Sequence, residues 1–356
     1  MKTAYLVLEN GTVFEGQQIG ALTDTIGELV FTTGMSGYIE TLTDPSYAGQ
    51  IVVQTFPLIG NYGVIPQDYE GVPAVKGYVV RELCDSPSNF RSEGQLNSFL
   101  IENKICGICG VDTREITRII RECGVMNAAI CSQIPNKLDK IKSFAIKNVV
   151  AQVSREQKKV YNAIGEKKYS VALIDYGVKH GIVENLQRLG CEVTAYPQKT
   201  TAEEIIASNP DGIALSNGPG DPEENVFCIE QIKKLLGKKP MFGICLGHQL
   251  VALAMGGKTI KLKYGHRGTN QPVRETVGTR TFITSQNHGY AVVADSLKNL
   301  GQMIFENAND GSCEGMFYPE MKCFTVQFHP EARSGPHDTD FLFKKFISMM
   351  GGEKRA

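Results

Sequence analysis

The chain has almost no net charge: 37 Lys and Arg stand against 38 Asp and Glu, a formal charge of −1 over 356 residues. That leaves no electrostatic footprint for a nucleic acid or an anionic membrane surface. No apolar run approaches the ~18–20 residues of a membrane span. The opening Met-Lys-Thr-Ala-Tyr-Leu-Val-Leu-Glu has too short an apolar stretch, and no cleavage site after it, for a signal peptide. The ten cysteines lack framework spacing, which argues against a disulfide scaffold and for a reducing compartment, the cytoplasm. The one C-x-x-C, Cys106-Gly-Ile-Cys109, has no second Cys or His pair to complete a zinc motif. Its residues alternate within an apolar run and read as a strand, so no metal is expected on this chain. Long repeats and low-complexity tracts are absent. Met255-Gly-Gly-Lys-Thr259 resembles the tail of a phosphate-binding loop but follows a helix instead of opening one, so no nucleotide site is assigned.

What is present suits a folded chain of two domains, with 42% apolar and 21% charged residues. Residues 1–150 mix strands with one clear helix. Asn10-Gly11 marks a hairpin, and Asp112 caps a helix whose Ile116, Ile119 and Ile120 share a face until Gly124 ends it. Residues 151–168 turn polar and read as a connection. From Tyr169 strands and helices alternate through 169–356, which predicts a mostly parallel sheet with helices on both faces. The fold class is therefore α/β, with a mixed α/β domain in front. Asp221-Pro-Glu-Glu224 should open one helix running to Gly237, and 338–350 has the apolar spacing of a packing helix.

Three segments of the second domain carry chemistry. Gly243-Ile-Cys-Leu-Gly-His-Gln249 places Cys245 between a short apolar strand and a helix that starts at once. Such an elbow exposes the side chain at a sharp turn, and a helix N-terminus beneath a thiol favours the thiolate. Ser216-Asn-Gly-Pro-Gly220 ends another apolar strand in a turn able to aim backbone N–H groups at a developing negative charge. Cys323-Phe-Thr-Val-Gln-Phe-His-Pro-Glu331 delivers His329 as a base, with Glu331 to fix its tautomer. His248 is the rival base, placed where the helix should point it away from the thiol. Three such strand ends in one parallel sheet put a nucleophile, a base and an oxyanion site along one edge.

In these contexts Cys245, His329 and Glu331 resemble the triad of the class I glutamine amidotransferases. The likeness runs from near Tyr169 to the C-terminus. It implies attack of a thiolate on the glutamine amide, release of ammonia and hydrolysis of a glutamyl thioester. The preceding half resembles the small, glutaminase subunit of carbamoyl phosphate synthetase. Thr33-Gly-Met-Ser-Gly-Tyr to Asp-Pro-Ser-Tyr47, Phe56-Pro-Leu-Ile-Gly-Asn-Tyr62 and Val111-Asp-Thr-Arg114 carry that resemblance, as do Ile174-Asp-Tyr-Gly-Val-Lys179 and Gly265-His-Arg-Gly268. It implies glutamine contacts at Ser46, Gly218, Gly220, Leu246, Gln249, Asn287, Gly289 and Tyr290. It also implies a larger partner subunit that holds ATP and Mg, with no cofactor on this chain, and a product used in arginine and pyrimidine synthesis. Lys179 and His266 match the family without a role that sequence can assign. Arg333-Ser334 and Gln271 depart from its pattern away from the triad. A free-standing γ-glutamyl amide hydrolase and a catalytically silent regulatory subunit are the alternatives. The large N-terminal domain weighs against the first, and the complete triad against the second.

Overall fold

The computed structural model describes residues 2–351; Met1 and residues 352–356 of the expected C-terminal domain lie outside the described residues. The chain divides into two compact units, Met1–Lys147 and Asn148–Ala356.

In the first unit, seven strands close into a barrel. Thr3–Leu8 and Val13–Gly20 form the expected hairpin, with the turn at Asn10-Gly11. The order continues through Cys106–Cys109, Gly77–Val79, Gln50–Gln54, Thr25–Thr32 and Met126–Cys131, which pairs antiparallel with Thr3–Leu8 and closes the ring. Closure leaves no open strand edge, a feature that alternation alone did not reveal. Cys106 and Cys109 are buried strand residues, as expected, and burial pushes the Cys106 thiol up to about 12 and raises Cys109 as well. Helix Thr113–Cys123 begins where its cap was read: the Asp112 carboxylate accepts from the N–H groups of Arg114 and Glu115.

The second unit is built on one ten-stranded sheet. Five central strands are parallel, in the order Cys191–Pro197, Tyr169–Asp175, Gly212–Leu215, Met241–Ile244 and Cys323–Val326. Helices cover both faces. Ala202–Ala207, Val226–Leu235 and Leu246–Ala254 contribute to one buried apolar cluster, through residues such as Ile205, Ile232 and Leu250. His180–Arg188 and Phe341–Gly351 contribute to the other through Ile182, Leu186, Phe343 and Phe346.

Three expectations need correction. The sheet is parallel only at its centre: Cys313–Tyr318, Thr281–Val292, Thr259–Glu275 and Gln302–Asn307 extend it with antiparallel pairs. The long strands Thr259–Glu275 and Thr281–Val292 are broken by register shifts at Lys261/His266 and Gly268/Gln271, which hides their alternation in the sequence. The polar stretch 151–168 is not a connection. Lys159–Tyr161 pairs antiparallel with Cys191–Pro197 as an edge strand, and Arg155 is ion-paired at 2.8 Å with buried Asp175; edge strands are often polar, which disguised it. The helix after Asp221 is in two pieces, a single 3-10 turn Pro222–Glu224 and then Val226–Leu235.

Candidate active site

The parallel core sets the site's frame, because strands that run the same way end on the same side. Leu215, Ile244 and Val326 each finish a strand there, and the chain then delivers Ser216, Cys245 and His329.

Cys245 caps the helix Leu246–Ala254 with φ 52° and ψ −103°, a backbone conformation that a non-glycine residue rarely adopts. The turn is held by its surroundings: the Cys245 N–H donates to the Val326 carbonyl at 2.8 Å, and the Gly247 N–H to the Ser216 carbonyl at 3.1 Å. Glycine at 247 is a packing requirement, since a Cβ there would sit 2.6 Å from the Leu215 carbonyl oxygen. The thiol is buried and lies 3.8 Å from the main-chain oxygen of Asn287.

His329 is buried, with Nδ1 2.6 Å from Glu331 Oε1. That contact leaves Nε2 to the thiol, since no nitrogen or oxygen partner approaches it. Burial and then the Lys179 charge push His329 down. The Glu331 charge and hydrogen bonding to Cys245 and Glu331 outweigh them, so the imidazole is lifted to about 10 and holds a proton at neutral pH. Burial also works against the Glu331 carboxylate, yet His329 and Lys179 keep it below the ordinary carboxylate range. Buried Lys179 thus belongs to the electrostatics of this pair, which sequence alone left open.

His248 is excluded from the cluster. Its Nδ1 is 2.7 Å from Thr325 Oγ1, its Nε2 is buried without a partner, and burial pushes it down to about 3. A histidine depressed in the fold contributes full stability above its unfolded pKa of about 6.5 and loses it as pH falls toward 3. From this side chain, stability should decline by about 1 kcal/mol per pH unit across that window. Urea midpoints at pH 7 and pH 4.5 should therefore converge in His248→Asn relative to the parent protein; parallel pH trends would contradict the assignment.

The turn Ser216–Gly220 is locked onto the neighbouring strand end. Ser216 Oγ accepts from the Tyr176 N–H at 2.9 Å, and Asn217 Oδ1 accepts from the Lys179 N–H at 3.0 Å. Gly218 passes so close to Tyr176 that a Cβ would meet its carbonyl oxygen at 2.4 Å. Leu246 opens the helix, where no carbonyl of its own helix can reach its N–H. Gln249 Nε2 donates to the Tyr290 carbonyl and to Gln327 Oε1, both at 2.9 Å, tying the elbow helix to the strand with Asn287, Gly289 and Tyr290. Gln327 was not singled out from the sequence; its place two residues before His329 was the only signal. Gly220, with φ 87°, ends the turn. Ser46 lies in the first unit, in a short 3-10 turn where Asp44 accepts from its N–H at 2.9 Å. Arg333 is ion-paired with Glu184, and Gln271 lies in the bulged part of its strand, between Gly268 and its pairing with Thr284.

A thiol on a strained backbone at a strand-to-helix elbow, beside a carboxylate-fixed imidazole and a glycine-lined turn, has the layout of a cysteine-nucleophile site. Residues 172–349 match the glutamine amidotransferase class-I family. Residues 6–130 match the carbamoyl-phosphate synthase small chain, CPSase domain. The carbamoyl phosphate synthase small chain of Clostridium perfringens is 49% identical over 97% of this chain and 98% of its own length. That of Bacillus cereus is 48% identical over 98% of this chain and 96% of its own. That of Listeria monocytogenes is 48% identical over all of this chain and 99% of its own. The chain belongs to the carbamoyl phosphate synthase small chain family.

Proposed function

We propose that this chain is the glutamine-hydrolysing subunit of a carbamoyl phosphate synthase, with Cys245, His329 and Glu331 as its catalytic residues. The observation that carries the reading is the elbow thiol in hydrogen-bonding reach of an imidazole whose other nitrogen is held by a buried carboxylate at 2.6 Å.

His329 Nε2 holds the proton given up by the Cys245 thiol, so the pair rests as thiolate and imidazolium, and the thiolate sulfur attacks the side-chain carbonyl carbon of L-glutamine. The oxyanion is met by backbone N–H groups of Leu246 and of the turn at Gly218 and Gly220. Its collapse breaks the C–N bond, and the imidazolium gives its proton to the departing nitrogen, which leaves as ammonia. Water, deprotonated by the same imidazole, cleaves the thioester to glutamate, and the departing thiolate and the reprotonated ring restore the resting pair. Glu331 holds the ring and stabilises its charged form without reacting. Gln249, Asn287, Gly289 and Tyr290 bind the substrate. Ser46 is carried by the first unit, and its part in glutamine binding rests on the family likeness.

Ammonia passes to a large subunit that holds ATP and Mg and makes carbamoyl phosphate from bicarbonate. That product serves arginine and pyrimidine synthesis. No residue in this site calls for a cofactor. Among the described residues no helix is long and apolar enough to cross a membrane, and the ten cysteines are free thiols, which suits the cytoplasm. The free-standing hydrolase and the silent subunit are not favoured, given the full-length match to small chains.

A glutamine-mimicking electrophile tests the nucleophile directly. It should label Cys245 alone, read by mass spectrometry, because burial raises several of the other thiols and nearby carboxylates raise Cys106, Cys131 and Cys191 further. An adduct on Cys106 or Cys109 in place of Cys245 would reject the assignment.

A further inference from the structure

Three side chains that the proposed reaction does not use converge inside the second unit. His266 comes from strand Thr259–Glu275, His288 from Thr281–Val292 and Glu314 from Cys313–Tyr318. All three are buried, and their donor atoms lie within 4.8 Å of one another. His266 Nδ1 is 3.4 Å, and His288 Nε2 3.9 Å, from the same oxygen, Glu314 Oε1.

The outer ring nitrogens are held as well. His266 Nε2 is 2.9 Å from Asp310 Oδ2, and His288 Nδ1 is 2.8 Å from the Tyr290 carbonyl oxygen. Both partners only accept, so each outer nitrogen donates its hydrogen, which directs the inner nitrogens at Glu314. Histidines that ligate metals are held in this way, with the far N–H on a carboxylate or a backbone carbonyl. Glu314 Oε2, buried without a hydrogen-bond partner, supplies a further acceptor from the same carboxylate. The remaining polar neighbours are Gln286 Oε1, 3.1 Å from His288 Nε2, and Asn307 Nδ2, 3.4 Å from His266 Nδ1 and 3.2 Å from Glu314 Oε1.

We propose that His266, His288 and Glu314 bind one divalent transition-metal ion, zinc foremost, as a structural site. Two imidazoles and a carboxylate suit zinc, whereas magnesium and calcium take oxygen ligands. Bonds of about 2.0–2.2 Å place tetrahedral zinc ligands roughly 3.3 Å apart. The two spacings to Glu314, 3.4 and 3.9 Å, need a small contraction, and the two imidazoles, whose donor atoms lie within 4.8 Å, close further as the Asn307 amide moves aside. The ion would pin three antiparallel strands together, among them the one that carries Asn287, Gly289 and Tyr290. Sequence reading expected no metal because the ligands are 22 and 26 positions apart on separate strands.

The test uses the full chain carrying Cys245→Ser, so that the proposed nucleophile cannot take the ion. Zinc chloride titrated calorimetrically into chelator-stripped protein should bind at one ion per chain and raise the unfolding temperature. Glu314→Gln and His266→Gln should each weaken binding by at least the ~10–100-fold typical of losing an outer-shell partner, and Asp310→Asn by an amount within that range. Cobalt(II) should give visible d–d bands without intense sulfur-to-metal charge transfer, which separates this site from the remaining thiols. Should Glu314→Gln fail to fold, Asp310→Asn, at a half-exposed carboxylate, carries the comparison. No saturable zinc binding by the parent protein, or binding that none of these changes weakens, would mean a hydrogen-bond network with Asn307 in the ion's place, and would overturn the proposal.

Discussion

His329→Asn should slow formation of the glutamyl thioester by about 10⁴–10⁶-fold, the loss typical of removing one member of a coupled triad. The change keeps a polar group that can still face Glu331 but removes the ring nitrogen directed at the thiol. Nothing nearby can replace it. His248, the other histidine close in sequence to Cys245, is hydrogen-bonded to Thr325 and sealed in the apolar core beneath the elbow helix. Glu331→Gln should be milder, because the carboxylate orients the ring and stabilises its charge without exchanging protons with the substrate. Single-turnover measurements with glutamine separate these cases. If His248→Asn proved more damaging than His329→Asn, the base would be misassigned.

Cys245→Ser should bring glutamine hydrolysis below detection while leaving the chain folded. A serine hydroxyl is far less ionised than a thiol, and the imidazole tuned to a thiol cannot make up the difference. The fold should survive because the Cys245 backbone is fixed by its contact with Val326 and by close packing of Gly247 on Leu215, neither of which involves sulfur. Circular dichroism and the unfolding midpoint should match the parent protein to within about 1 kcal/mol, as expected of a near-isosteric change. Activity lost together with the fold would leave the elbow, and not the thiol, as the explanation.

Much of this was legible in the sequence because the chemistry sits at strand ends, and strand ends are marked by local signals. Gly243 and Gly247 around Cys245, Pro330 between His329 and Glu331, and the Ser216–Gly220 turn each announce themselves within a few residues. The parallel core was readable for the same reason: each crossover helix has its own cap or apolar stripe, such as the capping box of Thr201 with Glu204. What escaped depends on register or on contacts distant in sequence. The barrel closes through pairing of Thr3–Leu8 with Met126–Cys131, more than a hundred residues apart. The bulges near His266 and Gly268 put consecutive residues out of step with simple alternation. Lys179 gains its meaning only when a strand separated from its own by two others in the sheet, and far along the chain, brings His329 and Glu331 within reach of its charge. The edge strand at 159–161 looked like a linker because an exposed edge calls for polar residues.

The central claim is a division of labour, with this chain as the source of ammonia and its partner as the site of synthesis. Its most direct test is the complex of Cys245→Ser with the large subunit, supplied with ATP, bicarbonate and a high concentration of ammonium salt. Carbamoyl phosphate should form at near the parental ammonia-dependent rate, while glutamine in place of ammonium should give none. Loss of the ammonium-dependent reaction in an intact complex would mean that the chain takes part in the synthetic chemistry itself, and would contradict this account.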